Sequence, residues 1–256
     1  NWKYLSPIFE SPDIARQMPQ ESNNFKRVDA NWKHTMNHTK AILNVKKACT
    51  DDPILEKFKE SNKALDNIQA KLRDYLEKKR SAFGRFYFLS DDDLLSILSQ
   101  AKDVDRVQEH LRKVFESIDR LDIEVNSKKI LGMFSVEKEY VKYNRPIDPG
   151  HKQVEDWMSE VEREMKKTVR ESLKDAILDY PDTFASVNNF DRNNWVLRHP
   201  GQCVLNGSQV RWTAEVETAI NTKTLEEYAN ALNIQLNKLI KIERKGLSKN
   251  HLITIE

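Results

Sequence analysis

The sequence predicts a mainly α protein, an elongated array of helical bundles with one small β-hairpin. Three observations predict it. Apolar residues recur at spacings of three and four over most of the 256 residues, the period of a helix with one buried face. The hydrophobic fraction of 39% lies below that of an average globular domain, and the charged fraction of 32% above it. That balance suits amphipathic helices with wide solvated faces. One stretch between residues 130 and 143 abandons the helical period for short β-branched and aromatic runs.

Residues 1–22 hold Pro7, Pro12 and Pro19 among scattered aromatics and read as an irregular lead-in. Phe25, Val28, Trp32 and Met36 then share one helix face. Asp52 before Pro53 reads as a cap with proline at the first helical position. The long helix it opens carries Ile54, Phe58, Leu65, Ile68, Leu72 and Leu76 on its apolar side. A dense burst follows at Phe83, Phe86, Tyr87, Phe88 and Leu89. It stops at Ser90-Asp91-Asp92-Asp93, a capping box for a helix with Leu94, Leu95, Ile97 and Leu98. Val107, Leu111, Val114, Phe115 and Ile118 predict one more helix.

The hairpin is predicted from Ile130–Phe134 and Glu139–Tyr143, with polar Ser135, Glu137 and Lys138 between the runs. Pro146 and Pro149 close it. Val154, Trp157, Val161, Met165, Val169, Leu173 and Ile177 then hold one helical face until Pro181. Beyond a loop come Trp195, Val196, Val204, Trp212, Val216 and Ile220. Thr224-x-x-Glu227 reads as a second capping box. It opens a helix through Leu225, Tyr228, Leu232, Leu236, Leu239 and Ile240, stopped by Gly246. The segments divide as 1–121, helical bundle with lead-in; 122–150, hairpin; and 151–256, helical bundle.

Composition narrows the function classes. Lys and Arg total 42 against 40 Asp and Glu, and the signs alternate along the helices. A nucleic-acid binder would gather its basic residues into a patch. No apolar run is long enough to span a membrane. Two cysteines, Cys49 and Cys203, make no disulfide framework. The opening Asn1-Trp2-Lys3-Tyr4 is neither a signal nor a transit peptide and lacks an initiator Met, which suggests a piece of a longer cytosolic chain.

Candidate chemistry is sparse. His34 and His38 have the spacing of a helical zinc pair, but no glutamate base stands between them and no third ligand is near. Asp91, Asp92 and Asp93 are better placed to meet the positive end of a helix dipole than to hold a cation. Asn37-His38-Thr39 and Asn206-Gly207-Ser208 match the glycosylation pattern, which a cytosolic chain does not use. None of the six glycines builds a phosphate cradle or a nucleophile elbow. From the residues alone, a charged helical scaffold is the end point, and no catalytic, cofactor or metal residue is nominated.

Several segments taken together resemble the linker region of dynein heavy chains. They include Leu76–Arg80, then Phe83-Gly84-Arg85-Phe86-Tyr87-Phe88-Leu89-Ser90, and Asp93–Leu98. Val154, Trp157, Val161-Glu162 and Met165 are similar too, as are Arg192, Trp195-Val196, Pro200-Gly201-Gln202, Ser208-Gln209 and Trp212–Glu217. Leu252–Ile255 resembles the approach to the first ATPase module. The opening Trp2-x-Tyr4-Leu5-x-Pro7-Ile8-Phe9 with Gln17-Met18-Pro19 looks axonemal. Gly84 departs from relatives that have proline there. Asn206-Gly207 reads locally as a turn where the resemblance implies helix; helix is expected.

The resemblance implies a lever of helical bundles that bends and straightens across a ring of ATPase modules. Its partners would be that ring, with microtubules and other dynein subunits through the parent, in a cilium or flagellum. ATP and Mg would belong to the ring, and this segment would not hydrolyse ATP alone. Met133, Phe134, Tyr140 and Tyr143 are the candidate ring contacts. Arg85, Phe86, Tyr87, Phe88, Leu89, Ser90, Trp157, Trp195, Gln209 and Trp212 are family-motif residues with a structural role, and Phe86, Phe88, Trp157, Trp195 and Trp212 are expected in the core. The alternative is a spectrin-like helical scaffold or adaptor without a motor.

Overall fold

A computed structural model of the chain describes residues 1–42, 44–50, 52–101, 103–180 and 192–243. It divides into two compact units: residues 1–116 with 149–158, and residues 117–148 with 159–256. The fold class is as expected, mainly α with a small β element.

In the first unit the expected irregular lead-in is helical. Helix α1 is Trp2–Glu10, α2 is Pro12–Gln17, and α3 runs Pro19–Ala41. The prolines misled because their position was unknown. Pro12 and Pro19 each open a helix, where a missing N–H costs nothing and the fixed φ is already helical. Leu5, Phe9 and Ile14 enter the core.

After α4 (Val45–Cys49), α5 extends over Asp52–Ala82, so Asp52 lies within the helix rather than capping it from outside. Its buried row is Leu65, Ile68, Leu72 and Leu76, the expected stripe. A 3-10 turn at Gly84–Phe88 leads to α6 (Asp91–Ser99). The Ser90 hydroxyl accepts from the Asp93 backbone N–H at 3.2 Å and caps that helix as expected. All four apolar residues of α6 are buried. The next predicted helix is instead broken into α7 (Val104–Val107), a 3-10 turn and α8 (Leu111–Val114).

Ile118 does not continue a helix. It starts the second unit's sheet, whose strands β1 (Ile118–Ile123), β2 (Ile130–Ser135) and β3 (Tyr140–Ile147) pair antiparallel in sequence order. The predicted hairpin is β2–β3, and β1 was missed. Register irregularities fall between Ile118 and Arg120 and between Asp122 and Ile123. They break the alternation by which a strand is read from sequence. The turns use left-handed backbone at Lys128 and Lys138. Pro146 lies on edge strand β3, where a missing N–H is tolerated. Two β3 amides are satisfied from helix α9 (Val154–Leu178): Asn144 N–H donates to Thr168 Oγ1 at 3.2 Å and Arg145 N–H to Glu164 Oε1 at 3.1 Å.

The second unit ends with α10 (Arg192–Arg198), α11 (Gly201–Thr222) and α12 (Leu225–Glu243). Helix runs through Asn206-Gly207, against the local turn signal. The Thr224 hydroxyl pairs with that of Thr222 at 2.8 Å, so the second capping box is not formed although the helix starts where it predicted. Pro181, Gly246 and Leu252–Ile255 lie outside the described residues.

Candidate functional site

The sheet of the second unit carries the candidate docking residues, and the pleat sorts them. Opposite Arg120 on β1 stands Phe134 on β2, and opposite Phe134 stands Tyr140 on β3. These three side chains share the outer face. The Arg120 guanidinium lies 4.2 Å from the Phe134 ring centre, and the Phe134 and Tyr140 ring centres are 4.8 Å apart. The Tyr140 hydroxyl donates to Asp122 at 2.8 Å. Burial, followed by that hydrogen bond and the Asp122 charge, pushes the phenol up to about 12. Tyr140 therefore stays neutral and donating at physiological pH.

Met133 and Tyr143 face the other way and are buried. The four candidate contacts thus separate into an outer pair, half-buried Phe134 and exposed Tyr140, and an interior pair that supports them. Gly132 makes the packing possible. A Cβ there would lie 2.6 Å from the Val141 carbonyl oxygen and 2.8 Å from the Tyr140 ring, so the tyrosine ring lies over bare backbone.

The family-motif residues also divide by burial. Phe86 packs edge-on against Phe83 with 5.0 Å between ring centres. The Arg85 guanidinium sits 4.9 Å from the Phe115 ring centre and donates to the Val114 carbonyl at 3.4 Å. Leu89 closes the cluster, all within the first unit. Tyr87 and Phe88 are exposed, Phe88 at 73%. A 3-10 turn spaces residues at three per turn, so Phe83, Phe86 and Leu89 take the core and Phe88 cannot.

Trp157 is buried in the first unit. In the second, Trp195 donates its indole N–H to the Ala176 carbonyl at 2.9 Å and meets Tyr180 edge-on at 5.2 Å. At Gly207 an added Cβ would lie 3.5 Å from the indole, ordinary contact distance, so packing does not require glycine in mid-helix. Arg192 ties the cluster together by donating to the Tyr180 hydroxyl at 3.0 Å and to Gln235 Oε1 at 2.6 Å. Trp212 was expected in the core, but it is 54% exposed and, with exposed Gln209, lines a cavity of about 230 Å³.

Glu215 lies in the Trp212–Glu217 stretch quoted for the resemblance, but the sequence assigned it no role. It is buried among Tyr228, which donates to it at 3.1 Å, and the cations Arg192 and Arg211. Burial raises its pKa above the usual carboxylate range, with those three groups opposing the shift. The signal for its burial is an acidic residue on the apolar side of α11. Among the described residues no group of three His, Cys, Asp or Glu could hold a metal, and no helix is long and apolar enough to cross a membrane.

The family description "Dynein heavy chain, N-terminal region 2" matches residues 1–176. Axonemal dynein heavy chain 1 of Rattus norvegicus is 42% identical over 97% of this chain. Axonemal dynein heavy chain 3 of Homo sapiens is 40% identical over 99%, as is heavy chain 12 of Mus musculus. The chain spans only 5–8% of the length of these relatives. It belongs to the dynein heavy-chain family, as a stretch of the N-terminal region.

Proposed function

We propose that this chain is the mechanical linker of an axonemal dynein motor, the lever that converts ATP-driven changes in the AAA+ ring into a power stroke along a microtubule. The observation that carries this reading is the match to axonemal heavy chains over 97–99% of the chain. The structure suits the role. A lever must transmit force without melting, and α5 holds an apolar row of Leu65, Ile68, Leu72 and Leu76 buried over several turns. A lever must also meet the ring in more than one arrangement, each favoured by different contacts. Phe134 and Tyr140 on the sheet's outer face supply one such contact.

In this reading the segment is not an enzyme by itself. Nucleotide and Mg bind in the ring, outside these residues, and the parent works in the axoneme of a cilium or flagellum. The test deletes residues 1–256 from the parent motor and compares microtubule gliding speed with ATP turnover. Turnover kept while gliding collapses is the expected result. Gliding at near-normal speed would leave a passive helical scaffold instead.

A further inference from the structure

The seam between α3 and α5 in the first unit carries an open groove that the lever reading does not use. One end is a cavity of about 510 Å³ bounded by three aromatic rings. Trp2 and Trp32 are 5.8 Å apart between ring centres, and Trp32 and Phe58 6.0 Å. The Trp2 indole N–H donates to Asp29 at 3.1 Å, which fixes its ring in place. A second cavity, of about 630 Å³, shares Val28, Asn31 and Ser61 with the first. The two adjoin along the seam.

Asparagines recur along the groove's polar lining. Asn24 and Asn31 come from α3, and Asn62 and Asn67 from α5. Asparagine is a poor helix former, yet four stand along this groove. No side-chain hydrogen bond engages them among the described residues. A side-chain amide offers a donor and an acceptor together, the complement of a peptide group. Asn24 and Asn31 are about 10 Å apart along the helix, close to three residues of extended chain. The charges along the groove are Arg27, Lys57 and Lys63 against Glu60, which leaves it basic. None of these cations forms an ion pair among the described residues.

We propose that this groove binds an extended acidic peptide segment of a partner protein. The asparagine amides hold its main chain, Arg27, Lys57 and Lys63 face its carboxylates, and one aromatic side chain anchors against Trp2, Trp32 and Phe58. The mode combines main-chain clamping with a side-chain pocket. It does not depend on the lever reading.

The probe is a short fluorescein-labelled poly-glutamate peptide ending in phenylalanine, added to the chain of residues 1–256 and followed by anisotropy. Saturable binding is expected, weakening as salt rises. The double variant Asn31→Ala with Asn62→Ala should weaken it at least about tenfold, the scale of losing two hydrogen bonds. Lys57→Glu should do the same. All three positions are exposed, and an unchanged helical circular-dichroism spectrum checks that each variant is folded. Equal binding of a poly-lysine counterpart overturns the proposal, as does no binding to the folded chain or binding indifferent to the asparagines. If the peptide binds the isolated chain but not the parent heavy chain, the groove is filled by the parent's own flanking sequence and the partner assignment falls.

Discussion

The Arg120 guanidinium faces the ring of Phe134 at 4.2 Å, across the β1–β2 pair in which the two residues stand directly opposite. The contact leaves the aromatic half-exposed rather than buried, so its removal need not break the sheet. Phe134→Ser should cost about 1–2 kcal/mol of stability, from a cation–π contact and partial apolar burial. In the parent motor it should slow microtubule gliding while ATP turnover continues. If the variant simply unfolds, Phe134 is a core residue and the docking role is lost.

Two glycines should respond to alanine in opposite directions. At Gly132 the new methyl meets the Val141 carbonyl at 2.6 Å in the central strand, where neither backbone can retreat. Gly132→Ala should destabilise by about 1–3 kcal/mol. At Gly207 the nearest neighbour is the Trp195 ring at 3.5 Å, ordinary contact distance within a helix. Gly207→Ala should stabilise by about 0.5–1 kcal/mol, the usual gain over glycine there. Urea midpoints of the two variants decide the matter; a shift in the same direction for both would contradict the packing described.

The aromatic burst at residues 83–89 yields a matched pair. Phe86 is fully buried and Phe88 is 73% exposed. Phe86→Ala should cost about 3–5 kcal/mol, and Phe88→Ala less than about 0.5 kcal/mol. Comparable thermal shifts for the two variants would show that the turn is wound differently.

That pair also shows what the sequence could and could not convey. A run of aromatics announces a core, but only the turn geometry decides which of them reach it. Periodic stripes such as Leu65, Ile68, Leu72 and Leu76 were legible because one helix repeats one rule for many residues. The lead-in was illegible because Pro12 and Pro19 start helices and break them with the same letters. Strand β1 hid behind its register irregularities at Arg120 and Ile123. The candidate site was half legible. Strand β2 and strand β3 were placed, but which faces of Met133, Phe134, Tyr140 and Tyr143 turn inward depends on pairing partners that sequence does not supply.

Lys79 and Glu155 form an ion pair whose side chains are 11% and 10% exposed. Burial, together with the Glu155 charge, pushes the neighbouring Tyr75 phenol far up. Removing one partner leaves the other charge in a dry site, so Glu155→Ala should cost about 3–5 kcal/mol. The double replacement Lys79→Met with Glu155→Leu should cost much less, since no charge is stranded. A double variant as unstable as the single would mean that packing, not charge, sets the penalty.

Glu215 should make stability depend on pH. Burial holds its carboxyl above the ordinary value of 4.5, against the Tyr228 hydrogen bond and the Arg192 and Arg211 charges. The folded chain therefore keeps a proton that the unfolded chain has already released. Stability from this group is fully present below the unfolded value and is lost as pH rises through the folded one. Glu215→Gln keeps a neutral, hydrogen-bonding side chain at every pH. The stability of the native chain relative to this variant should fall as pH climbs from about 4.5 toward neutrality, measured by urea denaturation at several pH values. Parallel pH profiles would show that the carboxyl is as well solvated in the folded state as in the unfolded one.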